Sequence, residues 1–228
     1  LYWRGRVVEN SEDKGEAEAP VADDAVAIEG NEGEAGASEN ADALPVARHQ
    51  EAVMLTPVER LVAKADGKQR ELVENQRGIT YFGLFGPYLA GAKKIVVEDA
   101  YVRKPYQLRN LAEFLEMLLR CKNPDEDVAV HLVTGHNEPG FVEAQLNGLN
   151  ELASTFSQLG VNLTYEFRDT LHDRSITADT GWEILPGRGL DIFQKFVDGD
   201  WLNPLLRHQQ LRRVKECKVT YRRIDEKQ

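Results

Sequence analysis

His172 and Arg174 are two positions apart, so on an extended segment their side chains share one face. A phosphate held there would meet an imidazole and a planar guanidinium fork together. Asp179 follows five positions later. A second group comes from Lys94-Ile95-Val96-Val97-Glu98-Asp99, an apolar run that ends on an acid, with Arg103 just beyond it. Arg188 sits between Gly187 and Gly189, which would let backbone approach the same ligand. Ligands of open α/β sheets collect beyond the carboxyl ends of the strands. Asp99, Arg103, His172, Arg174 and Arg188 are therefore the expected ligand-binding residues.

Each also has a plain structural reading. His172 is equally a strand histidine satisfied by Asp173 or a carbonyl. Arg188 is equally a brace for Asp99 or Asp191, and Asp99 a cap for the next helix or a support for His172. Cys121, His131 and His136 occur in the order of metal ligands, but their spacing fits no zinc pattern, and His131 lies within an apolar strand. No metal is expected. Gly187-x-Gly189 lacks the strand-turn-helix context of a dinucleotide site, so no cofactor is expected either.

Positioning these groups requires strands and helices in alternation. Thr56-Pro57 starts a helical stretch that runs, broken at Gly67, to Gln76. Thr80 caps a short helix before Gly91. Residues 94–99 read as a central strand, too apolar to be half exposed, and 128–133 as a second buried one. Between them Leu108, Leu111, Ala112, Leu115, Leu118 and Leu119 mark one face of a helix over about 105–121. A long helix at about 139–159 ends at Gly160, and 161–167 alternates as a strand. Shorter strands follow at 173–178 and 181–185, then a helix near 204–214 and a strand at 218–224. This order argues an α/β fold with a mixed or parallel sheet flanked by helices.

The chain has 228 residues and a formal charge of −10, unevenly spread. Residues 9–50 hold 12 acids against Lys14 and Arg48, which equals the charge of the whole chain. That stretch has no aromatic residue and cannot offset its ordering entropy by burial, so it reads as a disordered acidic linker. Residues 1–8 read as the remnant of an upstream domain, and the Leu1 start as a piece of a longer protein. The folded domain is expected at 55–228. No apolar run approaches the ~18 residues of a membrane span. Two cysteines, and no secretory signal, point to a reducing, cytoplasmic setting. The last 28 residues carry 8 bases against 3 acids. Arg207, Arg212, Arg213, Lys215, Lys218, Arg222 and Arg223 there are either a solvated face or a surface for DNA or anionic lipid.

His172-x-Arg174-x4-Asp179 resembles the phospholipase D signature His-x-Lys-x4-Asp, with Arg in the lysine place. The run from His172 through Gly181-Trp182 to Gly187-Arg188-Gly189-Leu190-Asp191-x-Phe193 resembles the C-terminal domain of the MIT domain-containing protein 1 family. Glu98-Asp99-x-Tyr101-Val102-Arg103, Gln107, Asn110-Leu111 and Phe114 fit it too, and the likeness covers roughly 75–224. A closely similar domain is appended to bacterial Lon-like AAA+ proteins of BREX phage-defence type, which suits the upstream stub and the tether. No MIT helical domain is legible here.

The resemblance implies a phospholipase-D-like fold and, in the eukaryotic member, binding of phosphoinositide membranes rather than cleavage. Catalysis in true phospholipase D enzymes takes two such motifs, one histidine attacking phosphorus and the other protonating the leaving oxygen. This chain has one motif, with Arg174 replacing the lysine. The expectation is a non-catalytic phosphate-binding or targeting domain of a larger protein, an ATPase or protease. Its first rival is a homodimeric phosphodiesterase or nuclease using His172, Arg174 and Asp179. Its second is a protein-protein module.

Overall fold

The computed structural model describes residues 55–195 and 203–224. The expected upstream strand and acidic linker lie outside them. Thr56 and Glu59 make a reciprocal cap for α1 (Pro57–Val62): each backbone N–H donates to the other's side-chain oxygen. The helical stretch expected to Gln76 stops there. Arg70–Leu72 is instead a short strand, β1, too brief to show a period and held by its neighbour across the sheet. Thr80 caps α2 (Tyr81–Leu84), its hydroxyl accepting from Gly83 N at 3.0 Å, and α3 (Gly86–Leu89) follows.

From there the expected alternation appears: β2 (Lys94–Asp99), α4 (Pro105–Leu119), β3 (Val128–Thr134), α5 (Val142–Ser157), β4 (Val161–Phe167), β5 (Arg174–Ala178) and β6 (Trp182–Pro186). The helix expected over 204–214 is only α6 (Pro204–Arg207) and a 3-10 turn, Gln209–Leu211. The chain then extends so that Val214, fully buried, can bridge to Phe193. β7 (Cys217–Arg223) closes the fold.

The seven strands form one mixed sheet in the order β1-β7-β6-β5-β2-β3-β4. β2, β3 and β4 are parallel, and β5 to β2, β6, β7 and β1 pair antiparallel. Ile95, Val97, Val130, Leu132, Val161 and Leu163 share a core with Leu111, Phe114, Leu115 and Leu118 of α4 and Leu149 of α5. The other face corrects the reading of 94–99 and 128–133 as buried on both sides. Val96 is 39% exposed, and Lys94, Ala129, Asn162 and Thr164 beside it are exposed too. No helix among the described residues is long and apolar enough to cross a membrane.

Candidate functional site

Three loops meet beyond the carboxyl ends of the parallel strands: 100–104 after β2, 135–141 after β3 and 168–173 after β4. The last crosses from the sheet edge to β5, which lies on the far side of β2. Leu171 pins it, packing in a small cluster with Ala100 and Val133. The first motif and the start of the second therefore come to one end of the sheet.

Asp99 lies beneath this surface, 3% exposed. Its carboxylate accepts from Tyr101 N and from Leu190 N, each at 3.0 Å. Arg174 Nε stands 3.9 Å away, as the register that pairs Asp99 with Arg174 across β2 and β5 requires. Burial pushes the Asp99 carboxyl above its ordinary value, against the two N–H groups and the Arg174 charge. Asp99 thus ties the end of β2 to the turn at 187–190, and its cation is Arg174.

Gly189 completes that tie. It has φ +60°, and a Cβ there would collide with the Asp99 carboxylate. The expectation that Gly187 and Gly189 open backbone to a ligand is corrected here: their close neighbours are Lys218 backbone and Asp99. Arg188, carried between them, reaches neither Asp99 nor Asp191. Its Nε donates to Glu216 O at 3.0 Å, and Asp191 pairs with Lys215 at 2.8 Å. Arg188 lines an open cleft of about 670 Å³ with Glu71, Glu74, Glu216 and Lys218. Arg174 is not part of that cleft.

Arg174 Nη1 donates to Gly187 O at 2.8 Å, and its guanidinium lies 4.4 Å from the centre of the Tyr101 ring. Arg103 approaches the same ring at 5.5 Å, with its Nε donating to Ala100 O at 2.6 Å. Tyr101 is 46% exposed. Two guanidinium groups therefore gather around one exposed aromatic ring. His172 stands just before β5, exposed, and no hydrogen bond or ion pair holds its ring among the described residues. Asp179 lies at the other end of β5, about 16 Å along the strand from Arg174 at ~3.3 Å per residue. There it accepts from Lys93 N at 3.1 Å. The motif's three residues do not share one site.

Two features escaped the sequence reading. His136, noted only as a candidate metal ligand, has Nδ1 3.0 Å from the Asp169 carboxylate, with its ring stacked on Phe167 at 4.3 Å. The His136 backbone N–H also donates to Asp169, at 2.9 Å, and holds that carboxyl below its ordinary value. Gln145, 1% exposed, clamps two loops. Its amide nitrogen donates to Val102 O (2.8 Å) and Gly135 O (3.0 Å), and its oxygen accepts from Asn137 N (2.8 Å). Only contacts across 33 and 43 residues of sequence reveal these roles.

The remaining candidates resolve structurally. His131 contacts Thr164 Oγ1 at 2.9 Å on the open sheet face. Burial pushes the Cys121 thiol up to about 12, and no cluster able to hold a metal ion occurs among the described residues. Arg212, grouped by sequence with a basic surface, is 5% exposed. Its Nη1 bonds both Glu113 oxygens, at 2.9 and 2.7 Å. Arg222 pairs with Glu183.

Residues 78–223 match the family described as a phospholipase D-like domain at the C-terminus of MIT. The chain is also similar to a mouse protein, MIT domain-containing protein 1, with 38% identity over 136 residues. The aligned part covers 58% of this chain and 54% of the mouse protein, so the chain spans about half the length of that relative. The chain belongs to the phospholipase D-like family found at the C-terminus of MIT proteins.

Proposed function

We propose that this domain recognises a phosphate-bearing ligand without hydrolysing it, and serves as the targeting appendage of a larger protein. The observation that carries the reading is the grouping of Arg103 and Arg174 around the exposed Tyr101 ring at the carboxyl ends of the strands. Guanidinium forks match phosphate oxygens, and the ring limits their rotamers without removing their charge.

The same geometry speaks against catalysis. A nucleophilic or acid-base histidine needs a group that orients it, and none among the described residues holds His172. Asp179 is engaged at the far end of β5. The charge balance favours a compact ligand over a long polyanion. Arg168 is paired with Glu98 at 3.5 Å and with Glu166, and Asp99 lies under Arg174, so among the described residues acids are interspersed with the bases of this edge. A lipid headgroup suits that better than duplex DNA. The upstream partner, an MIT segment or a Lon-like ATPase of phage-defence type, would deliver the domain to its ligand.

The test is binding of the chain to anionic vesicles and to duplex DNA across a salt series, with Arg103→Gln and Arg174→Gln beside the wild type. Each substitution is expected to weaken vesicle binding about tenfold, the range for a lost hydrogen bond to a charged group. Unchanged binding in both variants would refute the reading. Turnover of a chromogenic phosphodiester that vanishes in His172→Ala would replace it with a dimeric phosphodiesterase.

A further inference from the structure

We propose that Arg103 and His136, with Asp169 behind the imidazole, form a second phosphate-binding point at this edge, suited to a terminal phosphomonoester. The proposal rests on the phosphate-recognition reading and adds to Arg103 two residues, His136 and Asp169, that neither motif contains.

The residues are built to meet. A Cβ at position 135 would collide with the Arg103 guanidinium, so Gly135 is the residue that admits Arg103 against the end of β3, next to His136. Gln145 fixes the two loops that carry them, as its bonds to Val102 O and Gly135 O show, and Asn137 Nδ2 donates to Arg103 O at 3.1 Å. His136 is held from two sides, by Asp169 at Nδ1 and by the Phe167 ring. That leaves Nε2 as its working nitrogen.

The pairing has a chemical logic. With Nδ1–H donated to Asp169, Nε2 of the neutral imidazole accepts a proton from a phosphomonoester, and Nε2–H of the imidazolium donates to the dianion. A diester offers neither the proton nor the second negative charge. Arg103 supplies the fork for two further oxygens. Arg174, whose guanidinium also lies against Tyr101, would bind any phosphate, ester number aside. A terminal phosphate is found on soluble metabolites and on lipid headgroups alike.

The experiment titrates the full 228-residue chain with phenyl phosphate and with methyl phenyl phosphate, using wild type, Arg103→Gln, His136→Gln, Gly135→Ala and Arg174→Gln. The wild type is expected to prefer the monoester. Arg103→Gln and His136→Gln should each weaken monoester binding about tenfold and abolish the preference. Gly135→Ala should do the same with every charge kept, by displacing the guanidinium. Monoester affinity unchanged in these three, with Arg174→Gln still weakened, overturns the second point and leaves the phosphate-recognition reading standing. No response in any variant overturns both. Vesicles of phosphatidylcholine carrying phosphatidic acid or phosphatidylglycerol identify the source. Retention on phosphatidic acid that the variants lose supports a lipid phosphomonoester, and phenyl phosphate binding without it supports a soluble one.

Discussion

Arg212 and Arg174 both lie over an aromatic ring, Arg212 4.3 Å from the centre of Phe193 and Arg174 4.4 Å from that of Tyr101, yet the two regions use the same side chain differently. Under the α4 side of the fold, Arg212 is buried with Nη1 donating to both Glu113 oxygens, inside a cluster where Tyr81, Phe85, Phe114 and Phe193 pack ring against ring. At the carboxyl edge, Arg174 is a quarter exposed, gives one nitrogen to a carbonyl and stands 3.9 Å from its carboxylate. The first arginine is enclosed by the fold and committed to a carboxylate. The second is oriented by the fold and still has donors to offer. The two arginines thus separate by how far the protein encloses each and how closely it pairs each with a carboxylate.

Removing the enclosed arginine should have the largest effect on stability. Arg212→Leu removes the buried cation from the Glu113 carboxylate, leaving it Arg109 and Gln209 as partners, and unfolding in urea should show a loss of about 3 kcal/mol, with phosphate binding by the folded fraction unchanged. Gly189→Ala comes next, at about 2 kcal/mol in the same assay. It opposes the positive φ and pushes on Asp99, so it should also loosen Arg174 and weaken phosphate binding. Arg174→Gln should reverse the pattern, costing under about 1 kcal/mol of stability while weakening binding about tenfold. A large stability loss in that variant would erase the distinction between the two regions.

The smallest effect concerns pH. The folded state holds the Asp99 proton more firmly than the unfolded chain does. Between the ordinary carboxylate value and the raised one, the folded state therefore binds more protons, and stability falls as pH rises through that window. Asp99→Asn should remove this component, seen as a shallower decline of the urea midpoint with rising pH than in wild type. Asp169 has the opposite sign. Its support is complete above the ordinary carboxylate value and lost as pH falls through the lowered one.

Much of the scaffold was legible in the sequence because its signals are local. The leucine spacing marked α4, Thr80 marked the start of α2, and the apolar runs marked β2 and β3. The elements missed depend on partners far away in the chain. β1 exists through pairing with β7, and the extended segment after Leu211 through burial of Val214. The site was legible in the same proportion. Asp99, Arg103 and Arg174 lie near one another, because a strand end and a strand start announce themselves. Arg188 and Asp179 lie elsewhere, since sequence spacing does not say which side of a turn a side chain takes or where a strand's far end falls. Gln145 and the His136–Asp169 pair gave no local signal at all. The apolar runs of β2 and β3 also concealed an open sheet face, because a central strand and a doubly buried strand read alike over six residues.

The most direct test of the central claim follows the guanidinium Nε–H resonances of the isotope-labelled chain during a phenyl phosphate titration. Arg174 and Arg103 should shift along one saturable curve while Arg212 stays fixed. A still Arg174 at saturating phosphate, or an Arg212 that moves with it, would contradict the division between arginines held by the fold and arginines held out to a ligand.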